Sequence, residues 1–443
     1  MANSKLAAVV LAAGLGTRMR SETPKHLHPL LGRRLVDWVL EAVSGLSPKP
    51  LVVVTAPESM DAFDGYTVAV QAEPLGTGDA AAAARETLAG FEGDLLVVSG
   101  DTAGITTETL GRLVETHRKE EAAATVLSFE RADPGAYGRV VRSKDGSLEA
   151  IVEAGDASHE ELALTEVNSS IYVFEAGKLW PALERLRPEN AQSELYLTDT
   201  VRGLVEAGEV VAVYKAEDAG EAEGVNTRAE LAAAAALLRD RVNEQLMLAG
   251  ATIVDPATTW IEPSVELEPD STIHPFTILK GSSRVARGAE VGPHAVVVDA
   301  DVGPGALVGP FCYLRPGTVL EAGAKAGAFV EVKNSRLGAG VKAAHQSYIG
   351  DADIGEGTNI GAGNITANFP HDEGQTKGRT TIGRNVRTGV HNAFVAPVEV
   401  GDDAWTGAGS VITEDVPPEA LAIARQRQVT KKGYVRKRRE RDD

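Results

Sequence analysis

Leu267-Glu268-Pro269-Asp270-Ser271-Thr272-Ile273-His274-Pro275-Phe276-Thr277-Ile278-Leu279 places an aliphatic residue at every sixth position. The step continues through Val285, Val291 and Val297, slips by one residue, and resumes at Val302, Val308, Leu314, Leu320, Ala326 and Val332. A third run, Ile382, Thr388, Phe394, Val400, Thr406 and Ile412, keeps the same interval. Gly, Pro, Ala and Asp fill much of the space between. Neither the helical period nor strand alternation yields such spacing. It predicts short strands joined by corners, three faces to a turn, with turns stacked so that each buries its neighbour's apolar edge.

Ahead of this array the texture is different. Leu6 to Ala12, Leu51 to Thr55, Thr67 to Gln71 and Leu95 to Ser99 read as buried strands, alternating with helical patterns at Leu35 to Ser44, Asp79 to Leu88 and Thr107 to Glu120. That alternation predicts an α/β, Rossmann-like, mostly parallel sheet covered on both faces, with ligands at the carboxyl ends of its strands. Ala123 to Phe129, Gly138 to Arg142 and Ser169 to Phe174 follow without regular helices between them and predict a mixed extension of the sheet. Arg228 to Ala249 reads as one connecting helix. The expected organisation is a front domain over 1–227, a linker helix over 228–250, a coil domain over 251–425 and a basic tail over 426–443.

A chain of 443 residues exceeds what one core usually serves, in keeping with that division. Lys and Arg number 44 against 63 Asp and Glu, a net charge of −19, which argues against wholesale binding to nucleic acid or an anionic membrane. Any phosphate ligand must therefore meet local positive charge. The single cysteine, Cys312, fits a reducing compartment. Lys5 and the apolar run to Ala13 loosely imitate a signal peptide, but the run is short and flows straight into Gly14, Gly16 and Arg18. The Ala-rich stretch from Ala229 is broken by Glu230 and Arg239, so no spanning segment is expected. The expectation is a soluble, cytoplasmic protein without stable membrane insertion.

Residues able to handle phosphate gather at the predicted strand ends. Leu11-Ala12-Ala13-Gly14 closes the first strand, and its glycine lets backbone N–H groups approach a phosphate; Arg18 and Lys25 supply local positive charge. The fourth strand ends in Ser99-Gly100-Asp101, a carboxylate at the sheet edge where hard oxygen ligands suit Mg²⁺. Gln71, ahead of Leu75-Gly76-Thr77-Gly78, offers an amide able to read a base edge. Taken singly, each is also an ordinary turn, cap or strand-end residue.

Together with Thr17-Arg18-Met19, Pro24-Lys25, Tyr137-Gly138-Arg139, Ile151-Val152-Glu153, Val167-Asn168 and Gly224-Val225-Asn226, these segments resemble a known family over essentially the whole chain. It is the bifunctional N-acetylglucosamine-1-phosphate uridylyltransferase/glucosamine-1-phosphate acetyltransferase family. The resemblance implies a GT-A-like mixed-sheet front domain and a left-handed parallel β-helix, a handedness that periodicity alone does not give. It implies that Leu11 to Gly14, Lys25, Gln71, Gly76, Thr77, Ser99, Gly100 and Asp101 hold the uridine nucleotide, and that Gly138, Glu153 and Asn168 hold the N-acetylglucosamine phosphate. Asp101 and Asn226 would ligate Mg²⁺, while Lys25 and Arg18 stabilise charge on the α-phosphate of UTP.

For the rear domain, His345 lies in Lys342-Ala343-Ala344-His345-Gln346-Ser347-Tyr348-Ile349-Gly350, which resembles the acetyltransferase segment and implies a general base. The same resemblance assigns Arg315, Lys333, Tyr348, Asn359 and Lys377 to glucosamine 1-phosphate. It assigns Ala362, Asn368, Phe369, Val390, Ala408 and Arg425 to acetyl-CoA, and implies a homotrimer. Departures from the family pattern are Leu15, Thr102-Ala103-Gly104, Gly155 and Ser169-Ser170 in front, and Phe369 for Tyr, Val390 for Ser and a lengthened 370–376 segment behind. The two missing hydroxyls could each remove a bond of about 0.5 to 1.5 kcal/mol. Lys431, Lys432, Arg436 to Arg439 and Arg441 make a basic tail, solvated or supporting an anionic cofactor. Two other readings stay open: a single-function sugar-phosphate nucleotidyltransferase using the coil as a trimerisation scaffold, and a non-catalytic regulatory subunit.

Overall fold

Leu-Ala-Ala-Val-Val-Leu-Ala, residues 6–12, is apolar on both faces, as a strand covered from both sides must be, and it forms the central strand β1 (Leu6–Ala12). The computed structural model describes residues 5–14, 16–370, 374 and 376–442. Leu15 and residues 371–373 and 375 of the lengthened segment lie outside the described residues. The front sheet contains β1, β2 (Leu51–Thr55), β3 (Thr67–Val70), β4 (Asp94–Ser99), β5 (Ala124–Glu130), β6 (Glu166–Glu175) and β7 (Val211–Lys215), in the order β7-β5-β6-β4-β1-β2-β3. The strands from β4 to β3 are parallel, whereas β6 runs antiparallel to both β4 and β5. A hairpin, Arg139–Arg142 with Leu148–Val152, hangs from β6 through Val167. This is the mixed extension that the helix-poor stretch predicted.

Successive residues of each strand feed opposite cores. Ala7, Val9, Val52, Val54, Leu95 and Val97 pack with Ala80, Ala81, Leu179, Leu197 and Val201. Ala8, Val10, Val53, Leu96 and Val98 pack with Val36, Val39, Leu40, Leu110 and Leu113. The helix expected from Asp79 to Leu88 runs from Thr77 to Ala83. Beyond it Ala84 and Arg85 bond back only three residues, so the last turn tightens while Leu88 stays buried. The connecting helix spans Arg228–Leu248 and crosses the point, between Leu238 and Arg239, at which the chain divides into two compact units.

The second unit is a left-handed parallel β-helix. Strands eighteen or seventeen residues apart pair in parallel, as in Ile273 with Val291 and Val291 with Val308. The six-residue series marks its inward positions: Ile273, Leu279, Val285, Val291, Val297, Val302, Val308, Leu314, Leu320, Ala326 and Val332 are at most 3% exposed. Leu337, Ala343, Ile349, Ile354 and Ile360 continue it between the predicted runs, again through five-residue steps. Two long strands, Lys325–Lys333 and Lys342–Gly350, pass through a corner and join two faces. The corner between those faces carries Phe276, His294, Phe311 and Phe329, all with left-handed backbone (φ 53–58°) and stacked at 4.8, 4.8 and 5.2 Å. Bulky residues are rare in that conformation, and here ring stacking offsets its cost. The last rung pairs Trp405–Thr406 with Leu421–Ala422, and a short helix, Tyr434–Asp442, follows.

Candidate active sites

In the front unit the carboxyl ends of β1 and β4 open into a cavity of about 720 Å³, lined by the predicted Leu11 to Gly14, Arg18, Lys25, Gln71, Gly76, Thr77, Ser99 to Asp101, Gly138, Glu153, Asn168 and Asn226. Its polar centre is Asp101, which continues β4. Ser99 donates to Asp101 Oδ1 at 2.7 Å, and the Lys25 ammonium donates to Oδ2. Lys25 also reaches Asn226 Oδ1 at 3.0 Å, and Arg18 Nη2 reaches the same oxygen at 2.9 Å. Burial pushes the Asp101 carboxyl up, but Lys25 and Ser99 outweigh burial and hold it below the ordinary range. Asn226 is anchored through its backbone, whose N–H donates to Glu230 at 2.7 Å at the start of the connecting helix. His26, buried and stacked on Phe63, is lowered to about 4 by burial and by Lys25, so it stays neutral and leaves the positive charge to Lys25 and Arg18.

Two hard oxygens, on Asp101 and Asn226, thus point at one place, and a cationic head sits there. That donor set fits Mg²⁺, which binds through one or two protein oxygens completed by water and phosphate. Among the described residues no cluster of three His, Cys, Asp or Glu could hold a metal by itself, so phosphate oxygens would have to complete the shell.

The flanks of the cavity are built differently. Gln71 Nε2 donates to Gly76 O at 3.0 Å and Asp79 Oδ2 at 2.9 Å, bracing the turn around its own amide nitrogen. Gly76 has φ 118°, and a Cβ there would lie 2.6 Å from Leu195 O, so only glycine lets the turn pass. Glu153 accepts from Thr198 Oγ1 at 3.1 Å. Burial, aided by Asp199, Asp156 and Glu194, raises its carboxyl against the Thr198 bond. Gly138 lies against it, since a Cβ there would stand 3.4 Å from both Glu153 oxygens. Asn168 is buried and donates to Tyr172 at 2.7 Å. Thr198 and Tyr137, whose hydroxyl accepts from Gly224 N at 3.0 Å, went unassigned in the sequence reading; Tyr137-Gly138-Arg139 was its only signal.

In the rear unit Arg315, Lys333 and Lys377 crowd together. Lys333 is lowered chiefly by the neighbouring Lys377 and further by Arg315, against the opposing pull of Asp351, the mark of like charges gathered together. Arg315 holds Glu331 at 2.8 Å, and Tyr348 pairs in register with Glu331. His345 is exposed on the through-corner strand, opposite Ala328. Ala362, Val390 and Ala408 form a column at the same corner: Ala362 O accepts from His391 N at 2.7 Å, and Val390 O from Gly409 N at 2.8 Å. Asn359 lies on another face, between Lys342 and Arg387 in register. Asn368 is buried and donates to the Asp351 carboxylate. Phe369 is 74% exposed, with Lys377 Nζ 5.8 Å over its ring. Arg425 follows the last strand, its Cδ 3.9 Å from where a Gly409 Cβ would stand.

Residues 8–199 match the family described as MobA-like NTP transferase domain. The bifunctional protein GlmU of Mycolicibacterium vanbaalenii is 45% identical over 98% of this chain and 93% of its own. The chain belongs to the GlmU family. Among further members, the Streptomyces avermitilis protein is 47% identical over 98% of this chain and 94% of its own. The Mycobacterium bovis protein is 45% identical over 98% and 92%. The GlmU likeness therefore runs through both units. Among the described residues no helix is long and apolar enough to cross a membrane.

Proposed function

We propose that this chain makes UDP-N-acetylglucosamine in two steps, acetylating glucosamine 1-phosphate in its rear unit and joining the product to UMP from UTP in its front unit. One observation carries the front half: at the carboxyl edge of the sheet Lys25 bridges Asp101 and Asn226, and Arg18 donates to the same Asn226 oxygen. There a phosphate oxygen of N-acetylglucosamine 1-phosphate attacks the α-phosphorus of UTP in line, the bond to the bridging oxygen breaks, and pyrophosphate leaves. Negative charge builds on the α-phosphoryl oxygens, and Lys25 and Arg18 neutralise it by moving from Asp101 and Asn226 to phosphate. Held by Asp101 and Asn226, Mg²⁺ would supply further charge neutralisation. Glu153, Gly138 and Asn168 orient the sugar, and no covalent nucleophile is needed.

In the rear unit Arg315, Lys333 and Lys377 bind the sugar phosphate by charge-assisted hydrogen bonds. His345 takes a proton from the sugar nitrogen as that nitrogen attacks the thioester carbonyl, and the CoA thiol leaves. The apolar exterior supports a homotrimer. Leu307, Tyr313, Ile365, Trp405 and Val411 are 39–53% exposed on two faces, whereas the third carries ion pairs such as Arg336–Glu321 and Arg379–Asp353.

The test is a pair of assays on the purified chain. Acetyl-CoA with glucosamine 1-phosphate should release free thiol, and UTP with N-acetylglucosamine 1-phosphate should release pyrophosphate only when Mg²⁺ is present. Pyrophosphate without thiol would select the single-function transferase, and neither product would select the non-catalytic subunit.

A further inference from the structure

Beside the Ala362, Val390 and Ala408 column stands a titratable side chain without an assigned role, His391. His391 has left-handed backbone (φ 53°) and is fixed by its own N–H to Ala362 O at 2.7 Å, one rung beyond Gly363. A Cβ on Gly363 would stand 2.4 Å from His391 Nδ1 and 2.8 Å from Cε1, so the imidazole folds into space that this glycine leaves. The ring is therefore held along the column. Gly363 in turn donates to Gln346 O at 2.7 Å, which places His391 two rungs from the His345 corner. On the other side Gly409 repeats the gap, with the Arg425 side chain over it. Among the described residues the His391 ring makes no hydrogen bond.

The column is a surface strip of small or apolar side chains, with Val390 47% exposed. An acyl carrier laid along it would lose water from its two amides on the side that faces the strip, and unpaired amides are costly against an apolar surface. Val390 has no hydroxyl to offer. A neutral imidazole presents one donor and one acceptor, the complement of an amide.

Resting on the acetyl-transfer reading above, we infer that the His391 imidazole binds the pantetheine arm of the acyl donor, hydrogen-bonding an amide while the thioester lies toward His345. The residue binds the donor and takes no part in proton transfer. His391→Ala should raise KM for acetyl-CoA about threefold to tenfold, the worth of one lost hydrogen bond. Saturated kcat, KM for glucosamine 1-phosphate and uridylyl transfer should not change. His391→Asn, which keeps a donor and an acceptor, should recover most of the loss. The same ratio should appear with S-acetylpantetheine, which has no nucleotide. An unchanged KM, a fall in kcat alone, or a penalty that vanishes with S-acetylpantetheine would overturn the assignment. If the unaltered chain releases no thiol at all, the acetyl-transfer reading fails first; calorimetric titration of CoA into both proteins then decides the His391 contact separately.

Discussion

Lys25→Ala removes the cation shared by Asp101 and Asn226. The Lys25 and Asp101 side chains are only 14% and 15% exposed. At about 3 Å and an effective dielectric of about 20, their gross attraction is about 5 kcal/mol before desolvation. Removing one preorganised charge partner of a developing oxyanion costs about 2.7 to 4 kcal/mol, so kcat for uridylyl transfer should fall about 10²- to 10³-fold. Acetyl transfer should be untouched. The pH profile gives a second reading. Burial raises the Asp101 carboxyl, and Lys25 with Ser99 holds it below its ordinary value. In the variant burial prevails, the carboxyl titrates higher, and the acid limb of activity moves to higher pH. The linked stability changes with it: a lowered native carboxyl stabilises the fold above its unfolded value, and that gain disappears as pH falls through the native one. Pyrophosphate release measured across the acid range, beside thermal unfolding, checks both. A kcat loss below tenfold with an unmoved acid limb would refute the role given to Lys25.

Glu153→Gln should raise KM for N-acetylglucosamine 1-phosphate roughly tenfold, about 1.4 kcal/mol of lost charged contact. Because burial raises the native carboxyl, wild-type stability declines as pH rises from the ordinary Glu value through the raised one. The variant should therefore melt higher than wild type at neutral pH and level with it in acid. Arg315→Ala should raise KM for glucosamine 1-phosphate at least about tenfold while pyrophosphate release is unchanged, as measured by thiol release and the uridylyl assay. Gly389→Ala would put a Cβ 2.5 Å from Ala408 N and 2.7 Å from Gly407 C, backbone atoms of the next rung. It should cost about 1 to 3 kcal/mol in denaturant unfolding, and a neutral result would contradict the packing described for that corner.

Most of the fold was legible because periodicity reports burial directly. Strands β1 and β2 and the helix Leu35–Ser44 have the ends that their apolar patterns predicted. The inward series of the coil was readable for the same reason, although five-residue slips between Leu337 and Ile360 break a strict six-residue count. Residues at strand ends, such as Asp101, were visible as candidates. What holds them was not: the Ser99 and Lys25 bonds, or the Glu230 grip on Asn226, join distant positions or depend on rotamers that no spacing encodes. His391 escaped notice because its meaning depends on a glycine twenty-eight residues earlier, brought beneath it only by the coil.

The last rung, Leu421–Ala422 on Trp405–Thr406, ends a ladder whose main-chain bonds run along the coil axis. Its outer edge is a template on which another molecule could polymerise end to end. Pro417 and Pro418 can donate no bond there, and the strongly net-positive stretch from Lys431 to Arg441 would meet its own copy with repulsion. Cutting the chain after Arg425 should therefore favour filaments at low ionic strength, visible by light scattering.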